Sequence, residues 1–207
     1  MADLYRKTML AAGVTGVTYL ILFIFFDRSI CLWVESHFPN TYLFHIANHI
    51  NNLFKGSYFS LGLALGLILV IVIDPGLSNK LTKNLLYVFV SVSLAMVLGD
   101  GLKYLLGRYR PVMLLQDNLY GFHFFATKWA LNSTPSGHTL RAFSLFSALS
   151  LLYRRFTAVF ITLALLVAAS RVVVNDHYPS DVLFSAFLGV FCARWTYQYF
   201  FGPNPDA

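Results

Sequence analysis

The sequence contains few charged residues and few cysteines. Only 12% of its 207 residues are Asp, Glu, Lys or Arg, whereas soluble domains contain about 25%. The two cysteines, Cys31 and Cys192, lie far apart and lack the spacing of metal ligands, so neither a disulfide framework nor a zinc site is indicated. The shortage of charge argues against a soluble domain.

Long apolar runs take the place of the missing charge. Hydrophobic residues make up 57% of the chain, and several runs approach or exceed the roughly 17 residues that a membrane-spanning helix needs. The sequence therefore predicts an all-α polytopic membrane protein, a six-transmembrane-helix bundle that forms one domain over residues 1–207. The predicted spans are about 9–26, 57–73, 85–102, 138–153, 156–170 and 182–200.

The connection between the first two predicted spans is rich in aromatic residues. Trp33, Phe38, Tyr42 and Phe44 lie within residues 27–56. Aromatic side chains favour the membrane surface, so this composition predicts an interfacial amphipathic helix between spans 1 and 2 rather than a water-exposed loop.

Six spans place the connections 27–56, 103–137 and 171–181 on one side of the membrane. The fifteen basic residues divide almost evenly, eight on this side and seven on the other, so charge alone does not orient the chain. We expect the side that carries the seven basic residues, together with both termini, to be cytoplasmic. These seven residues occur in very short connections and near the termini. The net charge of +6 comes from single or paired basic residues beside apolar runs, so no nucleic-acid partner is indicated.

The first chemically distinctive stretch on the shared side is "KYLLGRYRP". Lys103 and Arg110 are seven residues apart, close to two helical turns, so both cations can project from one side of the end of span 3. Pro111 disfavours helix at Arg110, which predicts that the second cation lies where the helix gives way to a loop. The alternative is that both are cations anchoring the span at the interface.

The second stretch, "PSGH", opens the fourth predicted span. Pro135 and Ser136 are typical of a helix start, with the Ser136 side chain as a cap. Gly137 allows an anion to approach the free N–H groups there. His138 by itself is more often an ordinary interfacial histidine than a catalytic one.

The third stretch, "SRVVVNDHYPSD", joins the last two predicted spans. Arg171 has the planar fork that suits phosphate oxygens. Asp181 follows His177 by four residues and can accept a hydrogen bond from one ring nitrogen, which leaves the other nitrogen as a nucleophile. The alternative is that Asp181 favours the helix dipole and His177 is a surface ring.

Ionisable groups that converge at the ends of membrane spans are functional by default, and this set suits phosphoryl transfer. Lys103, Arg110 and Arg171 would neutralise the phosphoryl oxygens, helped by Ser136 and the Gly137 amide. His177 would attack phosphorus and give a phosphohistidine, while His138 would protonate the leaving oxygen and later activate water. No carboxylate cluster suggests a metal pair, so neither a metal nor another cofactor is predicted.

These three stretches resemble the signatures of the type-2 phosphatidic acid phosphatase superfamily. The signatures are Lys-x6-Arg-Pro at 103–111, Pro-Ser-Gly-His at 135–138 and Ser-Arg-x5-His-x3-Asp at 170–181, complete and in order. The resemblance implies metal-independent dephosphorylation of a membrane lipid phosphate or diphosphate at the extracytoplasmic surface of a six-helix bundle. It also implies His177 as nucleophile, His138 as acid and Asp181 as the partner of His177.

The lipid itself stays open at this stage. The resemblance covers phosphatases of phosphatidylglycerophosphate, undecaprenyl diphosphate and phosphatidic acid, with a lipid A phosphatase as the alternative in the same family, and the short chain resembles small bacterial members of the inner membrane. The aromatic linker 112–134 is either a lid over the site or an interfacial anchor. A vanadate-dependent haloperoxidase is disfavoured by the six spans, and a non-enzymatic lipid-phosphate transporter by the pairing of His177 with Asp181.

Overall fold

The computed structural model describes residues 2–202, and this part of the chain is built from helices and the connections between them, without any strand. The α-helices are α1 Ala2–Ile21, α2 Asp27–His37, α3 Tyr42–Leu53, α4 Gly56–Ile73, α5 Lys80–Leu106, α6 Pro111–Asp117, α7 Gly137–Leu152, α8 Thr157–Val173 and α9 Pro179–Phe201. Short helical turns lie at Leu22–Phe26, Trp129–Leu131 and Arg154–Phe156.

Each of the six predicted spans coincides with a helix: α1, α4, α5, α7, α8 and α9. Within residues 2–202, three helical stretches are both long and apolar enough to cross a membrane, namely Asp3–His37, Lys80–Leu106 and Arg154–Val173, and Phe59–Ile73 is a shorter apolar helix. The predicted all-α membrane fold is therefore confirmed.

The predicted interfacial region between the first two spans consists of two helices. The first, α2, continues α1 through the π-helical turn Leu22–Phe26, so one helical rod runs to His37. Pro39 then follows, and Asn40 adopts a left-handed conformation with φ of 63°, which asparagine tolerates better than most residues. The chain turns there, and Thr41 caps α3 by accepting the amide of Phe44 at 3.2 Å.

The bundle is organised around α7, which packs between α5, α8 and α9. Small residues permit this close packing, as in other membrane helices. A Cβ on Gly189 of α9 would lie 2.8 Å from the Phe143 Cβ and from the Ser144 amide nitrogen, and one on Gly99 of α5 would lie 2.3 Å from Leu140. The first turn of α7, which contains Gly137 and His138, is thereby held between these helices.

Candidate active site

A polar pocket of about 310 Å³ opens where α5 and α8 end and α7 begins. All three connections that were predicted to share one side contribute to it. It is lined by Asn48, Asn51, Asn52, Lys55, Lys103, Arg110, Trp129, Gly137, His138, Arg141, Arg171, Asp176 and His177. The structure thus brings together the predicted phosphate-binding residues Lys103, Arg110, Gly137 and Arg171 with the two predicted catalytic histidines.

Lys103 and Arg110 lie before and after the C-terminal end of α5, and both line the pocket. Lys103 lies in the last turn of α5, with its Nζ 3.3 Å from the Asp100 carboxylate. The helix stops at Gly107, whose φ of 56° is left-handed and whose Cβ, if present, would lie 2.2 Å from the His123 carbonyl oxygen. Arg110 therefore lies in extended backbone directly before α6, which agrees with the effect expected of Pro111.

The Arg110 guanidinium is held in place by the loop before α7. Its Nε donates to the Trp129 carbonyl at 3.0 Å, and its Cζ lies 4.4 Å from the centre of the Trp129 ring. Burial lowers the pKa of Arg110 to about 10, so the side chain remains a cation at neutral pH. One aromatic residue of the linker 112–134 thus serves as a platform for a predicted phosphate-binding residue.

Arg171 enters the pocket from the last turn of α8. Its guanidinium pairs with the carboxylate of Asp176, which also lines the pocket. The Arg171 side chain is buried, whereas that of Asp176 is partly exposed.

The start of α7 supplies Gly137 and His138 to the pocket. A Cβ on Gly137 would lie 3.1 Å from the Lys103 Nζ and 3.4 Å from an Nη of Arg141. Two cations therefore flank the first residue of the helix, where free N–H groups already favour an anion. Glycine leaves room at this position both for the cations and for a ligand oxygen.

Ser136 lies behind the pocket instead of lining it. The residue is fully buried, its amide donates to the Ser185 hydroxyl at 2.7 Å, and its hydroxyl lies 3.2 Å from the Thr139 hydroxyl. It occupies the cap position of α7, but its side chain makes no capping hydrogen bond, so the expected capping role is wrong. Direct contact of Ser136 with phosphate stays a prediction.

His177 is 2% exposed and lies in the connection between α8 and α9. Its Nδ1 is 2.8 Å from the carbonyl oxygen of Ser133. A carbonyl only accepts hydrogen bonds, so Nδ1 carries the proton and the lone pair is on Nε2. Burial, reinforced by the nearby Arg110 charge, lowers the pKa of His177 to about 3, so the ring is neutral and can act as a nucleophile at neutral pH.

Asp181 does not form the direct hydrogen bond to His177 that the spacing suggested. Its carboxylate is 3.8 Å from the His177 Nδ1. It instead accepts the Ser133 hydroxyl at 2.6 Å and the Tyr178 amide at 3.0 Å, and it also binds Thr134. Asp181 is therefore connected to His177 through Ser133, whose hydroxyl donates to the carboxylate and whose carbonyl oxygen lies beside the imidazole.

A buried ion triad behind the pocket was not predicted from the sequence. Arg108 is fully buried, donates to Asp27 at 2.7 Å and pairs with Asp181. Asp27 also accepts the amide of Ser180 at 3.2 Å. Five rings surround the guanidinium, those of Tyr19, Phe23, Tyr120, Phe122 and Tyr178. In the sequence, Arg108 appears only as one more basic residue of the shared side, two positions before Arg110.

The donor set of the pocket suits an anion. Five of the lining residues are Lys or Arg, and one of the two neighbouring carboxylates pairs with Lys103 and the other with Arg171. Across residues 2–202, no group of three or more His, Cys, Asp or Glu side chains is placed to hold a metal ion. The arrangement can therefore bind a phosphoryl group and present a neutral imidazole to it.

Comparisons with known proteins point to one family. Residues 84–205 match the model of the PAP2 superfamily. Lipid A 1-phosphatases of Rhizobium etli and Rhizobium johnstonii are each 36% identical over 97 residues, which is 47% of this chain but only 42% and 40% of theirs. The bacitracin transport permease protein BcrC of Bacillus licheniformis is 30% identical over 148 residues, 70% of this chain and 68% of its own length.

Two crystal structures share the fold. That of Aquifex aeolicus LpxE has a TM-score of 0.62 at 21% identity and covers 84% of this chain and 95% of its own. That of a PAP2-type phosphatidylglycerolphosphate phosphatase from Bacillus subtilis has a TM-score of 0.59 at 17% identity, covering 93% and 95%. At these identities the likeness describes the helix arrangement alone.

Proposed function

Because this chain belongs to the PAP2 superfamily, we propose that it is a metal-independent phosphatase of a membrane lipid phosphate or diphosphate. The observation that carries the proposal is a neutral, oriented His177 in a pocket lined by five cations. Anion binding alone needs the cations, but it needs no imidazole with a directed lone pair, so this arrangement disfavours a non-enzymatic transporter.

In the first chemical step, the Nε2 lone pair of His177 forms a bond to phosphorus as the bond between phosphorus and the lipid oxygen breaks. Lys103, Arg110 and Arg171 stabilise the charge on the phosphoryl oxygens. His138 donates a proton to the departing lipid oxygen. The products are the lipid alcohol, or the lipid monophosphate if the substrate is a diphosphate, and a phosphohistidine.

In the second step, water attacks the phosphohistidine. His138, now neutral, accepts a proton from that water, and the N–P bond breaks to release inorganic phosphate and restore His177. The Ser133 carbonyl keeps the proton on Nδ1. Nε2 therefore has its lone pair available again for the next turnover. Asp181 holds Ser133 throughout by its hydroxyl.

The membrane setting follows from the fold, whereas its orientation is part of the proposal. The pocket lies at one end of the bundle, and we place it at the extracytoplasmic face of a bacterial inner membrane, with both termini cytoplasmic. This assignment is supported by four basic residues at the end of the bundle opposite the pocket: Lys80 and Lys83 in the first turn of α5, and Arg154 and Arg155 in the turn between α7 and α8. The chain acts as one catalytic domain over residues 1–207.

A lipid A phosphatase is the second candidate, and the two Rhizobium relatives favour it, since they bear the name lipid A 1-phosphatase. Phosphate release from lipid A, phosphatidylglycerophosphate, phosphatidic acid and undecaprenyl diphosphate, compared at equal surface concentration, identifies the preferred lipid. A kcat/KM for lipid A well above the others would establish the second candidate.

The reaction is tested with purified protein in detergent and excess chelator. We expect phosphate release from a lipid phosphate to persist, and His177→Ala to abolish it while thermal unfolding stays near that of the wild type. A matched control is His45→Ala, which changes a histidine outside the pocket lining. Complete loss of wild-type activity with chelator would contradict the metal-free reaction, and near-normal turnover of His177→Ala would remove this residue as the nucleophile.

The role of His138 is tested with leaving groups of different acidity. His138→Ala is expected to lose most activity on alkyl phosphates and less on aryl phosphates, whose leaving oxygen needs little protonation. An equal loss on both classes would assign His138 to phosphate binding instead.

A further inference from the structure

We infer that Lys55 and Arg141 form a second anion subsite beside the phosphate-binding residues, and that it holds the inner phosphate of a lipid diphosphate. The inference rests on the proposed function and specifies its substrate class. It gives a binding role to two cations of the pocket that lie outside the three sequence signatures.

Arg141 bridges two parts of the pocket wall. One of its Nη atoms donates to the carbonyl oxygen of Phe54 at 3.0 Å, near the end of α3. The other lies 3.4 Å from the positions that a Cβ would take on Gly56 and on Gly137. The guanidinium therefore occupies the space between the α3–α4 junction and the first turn of α7, with Lys55 lining the same pocket.

The charges of the pocket exceed what a phosphomonoester neutralises. Five cations line it, and two carboxylates pair with them, Asp100 with Lys103 and Asp176 with Arg171. Three positive charges remain, whereas a phosphomonoester carries at most about two negative charges at neutral pH. A lipid diphosphate carries a further negative charge, so its charge matches that of the pocket.

Arg141, like Arg110, is a buried cation of the pocket without a counter-ion among the described residues, and it lies outside the three sequence signatures. Its residue is 9% exposed, and it forms no ion pair with any carboxylate in residues 2–202. A largely buried charge without a counter-ion is costly. An anionic group in the pocket would remove that cost.

The same wall also presents unused hydrogen-bond donors. Asn51 is 5% exposed, and its Oδ1 accepts the Ser170 hydroxyl at 2.8 Å. Its amide nitrogen is buried and has no acceptor in the described part of the chain. Asn48 and Asn52 line the pocket beside it, so amide donors lie close to the surplus charge.

The position of Arg141 relative to His138 indicates which phosphate it binds. The two residues are three apart on α7 and share one face of the helix. His138 protonates the leaving oxygen, and in a diphosphate this is the bridging oxygen. The bond from the terminal phosphorus to that oxygen breaks as the bond to His177 forms, and the inner phosphate departs with the lipid beside Arg141.

The test compares a prenyl diphosphate with the prenyl monophosphate of the same chain length in neutral detergent micelles. We expect Lys55→Gln and Arg141→Gln each to lower kcat/KM for the diphosphate about ten- to a hundredfold, as loss of a charge-assisted contact does. Monophosphate hydrolysis should fall by a clearly smaller factor, since the reacting phosphate keeps Lys103, Arg110 and Arg171. Lys80→Gln, at an exposed position at the opposite end of the bundle, is the matched control and should alter neither rate.

Each other result overturns the inference. Equal losses on both substrates would place Lys55 and Arg141 among the residues that hold the reacting phosphate, and no loss on either would remove them from the site. If the variants differ from the wild type only after phosphatidylglycerol is added to the micelles, the two cations bind a neighbouring lipid headgroup instead. A wild-type protein that hydrolyses phosphatidic acid or lipid A but neither prenyl substrate would overturn this inference alone, whereas one that releases phosphate from no lipid phosphate would contradict the proposed function itself.

Folding is controlled separately. Lys55 is exposed, so its replacement by glutamine should leave thermal unfolding unchanged. Arg141→Lys retains the charge and should recover part of the diphosphate activity lost in Arg141→Gln. Failure of this recovery in a protein with normal thermal unfolding would also count against a charge-based subsite.

Discussion

Replacing Arg108 with methionine removes the positive charge between two buried carboxylates, those of Asp27 and Asp181. All three side chains are fully shielded from solvent. The guanidinium also donates to the hydroxyl groups of Tyr19 at 3.2 Å and Ser180 at 2.6 Å. Methionine is of similar length but makes none of these bonds, and it leaves both buried carboxylates without the Arg108 counter-ion.

Removal of one partner from a buried ion pair costs about 3–5 kcal/mol, and Arg108 serves two such partners. We therefore expect Arg108→Met to lower the free energy of unfolding by at least about 3 kcal/mol. A titration with sodium dodecyl sulfate in mixed micelles, followed by circular dichroism, measures this difference. Because Asp181 holds Ser133, and Ser133 holds His177, the remaining folded protein should also have a lower kcat.

The matched control is Arg6→Met. Arg6 pairs with Asp3 at 3.6 Å, and both side chains are largely exposed, so its loss should cost less than about 1 kcal/mol. The reasoning is refuted if Arg108→Met unfolds within about 1 kcal/mol of this control. A variant that is destabilised but retains full kcat would restrict the triad to a structural role.

Two further variants test the pocket. Burial lowers the pKa of His177 from 6.5 to about 3, so the unfolded chain binds the proton more strongly than the folded protein does. Between pH 6.5 and pH 3, the free energy of unfolding should therefore fall by up to about 1.4 kcal/mol per pH unit as pH decreases. His177→Gln should flatten the plot of unfolding free energy against pH between 6.5 and 4, and parallel slopes for the two proteins would contradict the assignment. Gly137→Ala should displace Lys103 by a few tenths of an ångström and raise KM severalfold with little change in thermal stability, whereas Gly13→Ala, with open space around its Cβ position, is the control. An unchanged KM in Gly137→Ala would show that Lys103 does not need its present position.

Most of the helices were predictable because each membrane span requires a continuous run of apolar residues, which is visible in the sequence. Runs of apolar residues identify α1, α4, α5, α7, α8 and α9 within a few positions, since lipid permits only helical spans here. The extent of α2 was less apparent, because it continues α1 without a break in helical backbone. Pro39 is the local signal that separates it from α3.

Sequence by itself determined that His138, His177, Lys103, Arg110 and Arg171 belong to one end of the bundle. Their positions beside span ends, and the alternation of those ends across a bilayer, require it. The structure then places all five in the lining of one pocket. Their chemical roles stay predictions until the variants are measured.

Only the tertiary structure decided which polar groups bind one another. Asp181 forms its hydrogen bonds with Arg108 and Ser133 rather than with His177, and Arg108 reaches Asp27, which lies 81 residues away along the chain. No periodicity or spacing encodes such a contact, because each partner comes from a different helix or connection and local patterns report only on neighbours within a few residues. The geometry of helix packing therefore sets how the nucleophile is held and which surplus cations face the ligand.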